Sequence, residues 1–168
     1  GDTELIHCVA SKLLPLIADD RIDYIITTAT KGIPLAQALA SHFNIPYICI
    51  RKEEKVYMDK QYKIAGKSIT SGNNFYYISE KEFNNLKDKT VVVIDDVFST
   101  GSTMDTIIDI CKAAKAKILG AYFILKEYAS KTRPVRKFGK YYMWSYKKIS
   151  CASVQAIPLL KNTEVKNG

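Results

Sequence analysis

Short apolar segments alternate with amphipathic segments along the chain, and this alternation predicts an α/β fold. Runs rich in β-branched and aromatic residues predict strands over 24–28, 47–50, 75–78, 90–94, 118–125 and 141–145. Apolar residues at helical spacing predict helices over 5–17, 34–43 and 104–114. Because a helix separates the first two strands, we expect a parallel sheet built with right-handed crossovers.

Polar segments separate these elements. Residues 51–72 show no long hydrophobic period and are rich in lysine, which predicts a mobile loop or a loose β-ribbon. Residues 80–89 are predicted to be a polar connection, and residues 133–140 a basic link. The polar tail after Lys161 is expected to fray. At 168 residues, the chain is expected to form a single domain over 1–168 with its own core.

The composition favours a globular protein with anionic partners. We expect a cytoplasmic protein, because the chain shows no secretory leader and no apolar run long enough to span a membrane. The net charge of +8 suggests either nucleic acid or a substrate that carries phosphate groups. The four cysteines form no CxxC pair and predict buried free thiols rather than a disulfide framework or a zinc site: Cys8, Cys49, Cys111 and Cys151.

The most informative stretch is 91–103. An apolar run leads into Asp95 and Asp96, and a short turn then precedes a helix. This order is typical of a buried parallel strand that delivers a loop at its carboxyl end, where open α/β sheets bind ligands. The two carboxylates can accept hydrogen bonds from sugar hydroxyls or hold a hydrated divalent cation. The turn offers hydroxyl groups and helix-start amides for an anion: Ser99, Thr100, Gly101, Ser102 and Thr103.

The stretch 91–103 resembles the thirteen-residue motif of the type I phosphoribosyltransferases, which transfer the sugar of 5-phosphoribosyl 1-pyrophosphate (PRPP) to a nitrogenous base. The alternative is an ordinary buried strand whose two acids cap a turn. The resemblance implies an α/β, Rossmann-like fold with a parallel sheet, a small hood and a flexible loop. It also implies that Asp95 and Asp96 hold the ribose hydroxyls, and that residues 99–103 hold the 5-phosphate.

A second segment carries the resemblance further. Thr30, Lys31 and Gly32, followed by Ile-Pro-Leu-Ala, resemble the loop that holds pyrophosphate in these enzymes, most closely in the orotate branch. The chemistry fits, because a glycine lets the backbone approach an anion closely and the next helix directs amides towards it. A simple β-to-α turn is the alternative. In the family this loop often contains a non-proline cis peptide bond.

Basic residues after the second strand form a third segment. Arg51 and Lys52 resemble the pyrophosphate-contacting pair of orotate and purine transferases, and Lys55 resembles a further lysine of the orotate branch. Arginine suits bidentate phosphate contact, whereas lysine supplies a point charge. The family closes a loop of this kind over the reacting sugar. Residues 57–61 depart from the His-Gly-Glu-Gly-Gly type of sequence found in orotate enzymes, which weakens that assignment.

Two residues resemble base-binding groups. Lys126 follows the predicted strand 118–125, where 6-oxopurine enzymes have a lysine facing the exocyclic oxygen. Trp144, or Tyr142, would stack on the base. Ser99 stands where many hypoxanthine-guanine transferases have an acid, which argues against that subgroup. The alternatives are a surface lysine at a strand end and a core aromatic residue.

The resemblance implies that PRPP and a nucleobase react through an oxocarbenium-like transition state, with Asp95, Asp96, Arg51 and Lys52 as the catalytic group. Mg²⁺ is the implied cofactor, held through PRPP oxygens and water near the two aspartates rather than by direct ligands. We expect purine transfer, of adenine or hypoxanthine type, in nucleotide salvage by a homodimer.

Two other functions remain open. Orotate transfer in pyrimidine synthesis is an enzymatic alternative, although that branch normally has a longer N-terminal segment. A PRPP-binding transcriptional regulator is an alternative of another class. Such regulators add a winged-helix domain, and we expect none here because only about twenty residues precede the first strand. We therefore expect neither a nucleic-acid nor a membrane partner.

Overall fold

A computed structural model describes residues 2–17, 21–54, 60–66, 75–128, 136–138 and 141–158. The helices are α1 (Thr3–Leu13), which continues into a 3-10 turn (Leu14–Leu16), α2 (Ile33–Phe43), α3 (Glu80–Asn85) and α4 (Ser102–Ala113). The strands are β1 (Tyr24–Thr28), β2 (Tyr47–Ile50), β3 (Gln61–Ala65), β4 (Phe75–Ser79), β5 (Thr90–Phe98), β6 (Lys117–Tyr128), β7 (Arg136–Phe138), β8 (Tyr141–Tyr146) and β9 (Ile149–Pro158).

The predicted parallel sheet is confirmed, and it has an antiparallel edge. Within the described residues, the main sheet has the strand order β2-β1-β5-β6-β9-β8-β7. The pairs from β2 through to β9 are parallel, whereas β8 runs antiparallel to both β9 and β7. Strands β3 and β4 form a separate antiparallel ribbon, in which residues 61–65 of the predicted loop or β-ribbon 51–72 pair with the separately predicted strand 75–78.

The core lies on both faces of the sheet, because alternate residues of the central strand point in opposite directions. Val91 and Val93 join a cluster with α4, whereas Val92 and Ile94 join a cluster with α1 and α2. The near-continuous apolar run of β5 follows from this burial on two sides. Helices α2 and α4 therefore cover opposite faces, and the chain changes face between β1 and β5.

Three predicted boundaries or connections are wrong. The polar connection 80–89 contains α3, which Ser79 and Glu82 start with a capping box. The acids Asp95 and Asp96 lie inside β5, which continues to Phe98 because it still pairs with β6 there. The basic link 133–140 contains β7, and its other residues lie outside the described part of the chain.

The predicted strand over 141–145 is confirmed as β8, but it is not the last strand. Strand β9 follows it, and the sequence gives this strand little hydrophobic signal because its buried centre consists of small residues, Cys151, Ala152 and Ser153. The cysteine prediction holds for three buried thiols and is wrong for Cys8, which is exposed on α1. Among the described helices, none is long and apolar enough to span a membrane.

Candidate active site

Four neighbouring parallel strands, β2, β1, β5 and β6, end at one edge of the sheet. The segments that follow them open at this edge, which brings together residues that are far apart in sequence. The edge includes the crossover point between β1 and β5, where the helices change face. Ligands of open α/β sheets bind in the crevice that such a change of face creates.

The two aspartates occupy different environments. Asp95 is only 5% exposed, and its Oδ2 atom accepts a hydrogen bond of 2.6 Å from the Thr28 hydroxyl. Its Oδ1 atom accepts a bond of 3.0 Å from the backbone N–H of Asp96. Asp96 itself is half-buried. Asp95 is therefore held in one orientation by β1, while Asp96 is the more accessible carboxylate.

Burial changes the protonation of Asp95. Desolvation raises the pKa of this carboxyl group to about 7, with the neighbouring Asp96 charge contributing in the same direction. The hydrogen bonds from Thr28 and from the Asp96 amide act against this shift, because they stabilise the charged form. A carboxyl group with such a pKa changes charge near neutral pH, which is a common property of functional sites.

The glycine loop after β1 lies directly against Asp95. A Cβ atom at Gly32 would stand 2.3 Å from Asp95 Oδ1 and 2.3 Å from Thr27 Oγ1, so no other residue fits without displacement. The Ala29–Thr30 peptide bond is cis. Lys31 is exposed, as is Thr30, so both can reach a ligand above the loop. The predicted pyrophosphate loop is therefore in contact with Asp95.

Arg51 lies beside the same loop. The Ala29 amide donates to the Ile50 carbonyl over 2.8 Å, which ties the glycine loop to the end of β2. Arg51 then forms an antiparallel bridge with Tyr77, with backbone bonds of 2.9 and 2.7 Å. Lys52 is exposed next to it. Lys55, predicted to contact pyrophosphate, lies outside the described residues, as does most of the predicted loop 52–72.

The hydroxyl-rich turn leads from β5 into α4. Gly101 adopts a φ of 90°, which favours glycine, and it provides no side chain to cap the amides of α4. The start of the helix is therefore available for an anion. The turn 99–103 lines a small cavity of about 80 Å³ with Asp95 and Phe98 beneath it. The Thr103 hydroxyl also lies 3.1 Å from the Tyr76 hydroxyl, which connects the turn to β4.

The two predicted base-binding residues are close together. The Lys126 ammonium lies 4.3 Å from the ring centre of Phe98 and 5.4 Å from that of Trp144. It also donates to the carbonyl of Ser99 over 3.4 Å. Desolvation lowers the pKa of Lys126. Trp144 packs edge-on against Phe98 with a centroid distance of 5.2 Å. This aromatic cluster therefore lies beside the turn 99–103.

Sequence reasoning missed three residues that shape this site. Thr28 orients Asp95, Tyr76 contacts Thr103, and the Tyr146 hydroxyl bonds to Asp105 in the first turn of α4. A polar residue at the end of a buried strand was a usable signal for Thr28. The two tyrosines gave no signal, because their partners are distant in sequence and only the strand order brings them together.

Comparison with known proteins agrees with this geometry. The family model described as "Phosphoribosyl transferase domain" matches residues 5–159. A hypoxanthine/guanine phosphoribosyltransferase of Methanotorris igneus is 33% identical over 116 residues, which cover 68% of this chain and 60% of that protein. The purine biosynthesis transcriptional repressor PurR of Bacillus subtilis is 31% identical over 120 residues, covering 71% of this chain and 42% of the repressor.

A solved structure supports the fold. The adenine phosphoribosyltransferase from Thermoanaerobacter pseudethanolicus superimposes with a TM-score of 0.73 at 16% sequence identity, covering 93% of this chain and 83% of that one. The chain spans less than two thirds of the hypoxanthine/guanine relative, so the comparison concerns the shared domain. The sheet order, the matched range and these similarities agree, and the chain belongs to the phosphoribosyltransferase family.

Proposed function

We propose that the protein transfers the 5-phosphoribosyl group of PRPP to a purine base and releases pyrophosphate. The observation that carries this proposal is the contact between Gly32 and Asp95. This contact brings the loop that we propose to bind pyrophosphate against Asp95, and the turn 99–103, which we propose to bind the 5-phosphate, follows the end of the same strand, β5. PRPP has the matching order of groups: a pyrophosphate, a ribose with two hydroxyls, and a 5-phosphate.

Each part of PRPP has a proposed partner. The helix start at 99–103 would hold the 5-phosphate through amides and hydroxyls. Asp96, the more accessible carboxylate, would accept hydrogen bonds from the ribose, and Asp95, which accepts a hydrogen bond from the backbone N–H of Asp96, would support it. Thr30, Lys31 and Gly32 would hold the pyrophosphate. Arg51 and Lys52 would add positive charge to the same end of the site.

Mg²⁺ fits this arrangement as a cofactor carried by the substrate. Among the described residues, no group of three or more histidine, cysteine or acidic side chains is placed to hold a metal ion. The carboxylate oxygens of Asp95 and Asp96 are hard donors that suit a cation which keeps most of its water. Bound Mg²⁺ would neutralise charge on the pyrophosphate. The protein's own residues would hold the sugar and the two phosphate ends in place.

The chemistry proposed for the site is a substitution at C1 of the sugar. A nitrogen of the base donates its electron pair to C1 as the bond between C1 and the pyrophosphate oxygen breaks. Pyrophosphate leaves with the electron pair of the broken bond, and the proton of the base nitrogen passes to solvent or to the leaving pyrophosphate. The protein contributes mainly by positioning the reactants and by stabilising charge. No side-chain nucleophile is required. Asp96 would stabilise the positive charge that develops on the ribose ring.

Support for a purine comes from the relatives, whose names specify hypoxanthine/guanine or adenine transfer. Lys126 and Trp144 form a cationic and aromatic pair beside the phosphate turn, which suits a flat base with a polar edge. We propose a role in purine salvage by a homodimer. Orotate transfer has no comparable support, because none of the relatives described above carries that name.

Pyrophosphate release tests the proposal. The protein is incubated with PRPP, Mg²⁺ and one base at a time: adenine, hypoxanthine, guanine, xanthine, orotate or uracil. Release with a purine supports the proposed function, and omission of the base should abolish it. If orotate is the only base that supports release, orotate transfer replaces purine transfer as the proposed function. If none of the six bases supports release, the enzymatic proposal is contradicted.

A PRPP-binding regulator is the second candidate, and the 31% identity to a purine repressor is the observation that favours it. The net charge of +8 would suit a DNA partner. Two measurements separate the candidates. A regulator would bind PRPP without releasing pyrophosphate and would retain duplex DNA with an affinity that falls steeply as salt is raised. The enzyme would turn over PRPP and show no DNA retention at physiological salt.

A further inference from the structure

The turn between β8 and β9 lies against the phosphate turn at the start of α4. A Cβ atom at Gly101 would stand 2.5 Å from the Tyr146 hydroxyl oxygen and 2.6 Å from the carbon that carries it. The phenol of Tyr146 therefore fills the space where any other residue at position 101 would place its side chain. Only glycine accommodates both the positive φ at position 101 and this close approach of Tyr146.

Tyr146 also closes a hydrogen-bonded ring around this turn. Its hydroxyl donates to Asp105 Oδ1 over 2.8 Å, and it lies 3.5 Å from the Gly101 carbonyl. The backbone N–H of Asp105 donates to that same carbonyl over 2.8 Å. Burial raises the pKa of Tyr146 to about 12, and the Asp105 hydrogen bond adds to the shift, so the phenol remains a donor. The ring fixes Gly101 relative to the first turn of α4.

The charge of Asp105 needs compensation if an anion is to bind here. An acid in the first turn stabilises the helix, but it also repels a phosphate that approaches the same helix end. Lys147 forms an ion pair of 2.7 Å with Asp105 Oδ1, and the Asp105 side chain is only 16% exposed. Lys147 thus neutralises the acid from the side of the β8–β9 turn and leaves the amides of α4 for an anionic ligand.

The turn itself is unusual for its sequence. Tyr146 pairs with Ile149, so Lys147 and Lys148 form a two-residue hairpin turn. Both lysines have positive φ, at 48° and 69°, where Asn and Gly are the preferred residues. A backbone conformation of this kind costs energy, so it persists only where surrounding contacts hold it in place. Such residues cluster at functional sites. The contacts of Tyr146 and Lys147 with α4 supply such surroundings, whereas Lys148 has no described contact with Asp105.

We propose that Tyr146 and Lys147 are positioning residues for the 5-phosphate site. Tyr146 fixes Gly101 against α4, and Lys147 neutralises Asp105 so that the phosphate meets an uncompensated helix start. This inference rests on the proposed function for the identity of the ligand. The contacts on which it is based are all within the protein and do not depend on which ligand binds. Neither residue touches the reacting atoms, so both act on PRPP affinity rather than on turnover.

A matched pair of variants tests the role of Lys147. Lys147→Met should raise the KM for PRPP and the Kd for ribose 5-phosphate about three- to tenfold, the range expected for one charge at a helix end. Its kcat should change less than twofold, whereas partial unfolding would lower the apparent kcat. Lys148→Met, in the same turn and also at positive φ, should leave all three values within about twofold of wild type. Equal losses in the two variants would overturn the proposal.

The Asp105→Asn background separates neutralisation from direct contact. If Lys147 acts by compensating Asp105, adding Lys147→Met to Asp105→Asn should change the Kd for ribose 5-phosphate less than twofold. A loss as large as in the wild-type background would show that Lys147 contacts the phosphate itself, and would overturn the proposal. Tyr146→Phe should raise the KM for PRPP about threefold. Tyr47→Phe, at the opposite edge of the sheet, is its control and should leave the KM for PRPP unchanged.

The two proposals fail separately. If ribose 5-phosphate binds and the Lys147 cycle behaves as expected but no base supports pyrophosphate release, the proposed enzyme activity fails and this inference stands. If turnover is normal and the cycle shows no coupling between Asp105 and Lys147, the inference fails and the proposed function stands.

Discussion

Replacement of Asp95 by asparagine should make the fold more stable at alkaline pH. Asp95 is buried, and its folded-state pKa of about 7 lies above the ordinary value of 3.8. A raised folded-state pKa means that the native protein binds the proton more tightly than the unfolded chain does. The unfolding free energy therefore falls as pH rises from about 4 to about 7, and it levels off above that range. Asparagine removes this dependence.

The size of the effect follows from the same shift. Between pH 4.5 and the folded-state pKa, the native protein carries a proton that the unfolded chain has mostly lost. At 1.36 kcal/mol per unit, this difference amounts to about 3 kcal/mol. The asparagine side chain can replace the two hydrogen bonds, because its oxygen can accept from the Asp96 amide and its NH₂ group can donate to the Thr28 hydroxyl.

Urea denaturation at a series of pH values measures this effect. The stability difference between Asp95→Asn and wild type should shift by about 3 kcal/mol in favour of the variant between pH 4.5 and pH 8. Asp88→Asn is the control: Asp88 is exposed and has a positive φ that asparagine tolerates, so its effect should stay within about 0.5 kcal/mol at every pH. A pH-independent difference for Asp95→Asn would refute the reasoning, because it would mean that burial does not control this carboxyl group.

Three further substitutions test the site. Asp96→Asn should lower kcat about 100-fold or more in the pyrophosphate-release assay, with a melting temperature close to wild type, since this carboxylate is proposed to stabilise the ribose in the transition state. Gly32→Ala should cost about 1–3 kcal/mol in urea denaturation and abolish turnover, because its methyl group would overlap Asp95 and Thr27; unchanged activity would contradict the contact. Lys126→Met should lower kcat/KM for hypoxanthine about tenfold or more while adenine changes little, because hypoxanthine carries an acceptor oxygen at position 6 where adenine carries an amino group that donates; an equal loss for both bases would contradict recognition of the 6-oxo group by Lys126.

The sequence predicts the central part of the fold because hydrophobic burial on two sides leaves a clear pattern. The apolar run before Asp95 indicates a buried parallel strand, and the helical period after Gly101 indicates the helix that follows it. Elements with weaker burial were harder to predict. Helix α3 has no fully buried residue, and its capping box is the main sequence signal for it. Strand β9 fills its buried centre with small residues, which leave almost no hydrophobic signal.

The site was predictable where its residues follow one another and hidden where strand order creates it. Asp95, Asp96 and the turn after them stand in one stretch, so their chemistry could be read directly. The bond between Thr28 and Asp95 joins residues 67 positions apart and depends on the register of β1 against β5. The contact of Tyr146 with α4 depends on the strand order, in which β6 and β9 lie between β5 and β8. Local patterns carry no information about such pairings.

The identity of the product tests the central claim most directly. The protein is incubated with PRPP, Mg²⁺ and an equimolar mixture of adenine, hypoxanthine, guanine and orotate, and the nucleotides formed are identified by mass spectrometry. The account predicts a purine 5′-monophosphate that appears with pyrophosphate in a one-to-one ratio, and whose rate of formation falls about 100-fold or more when Asp96→Asn replaces wild type. Orotidine 5′-monophosphate as the main product, or PRPP recovered intact while bound to the protein, would contradict it.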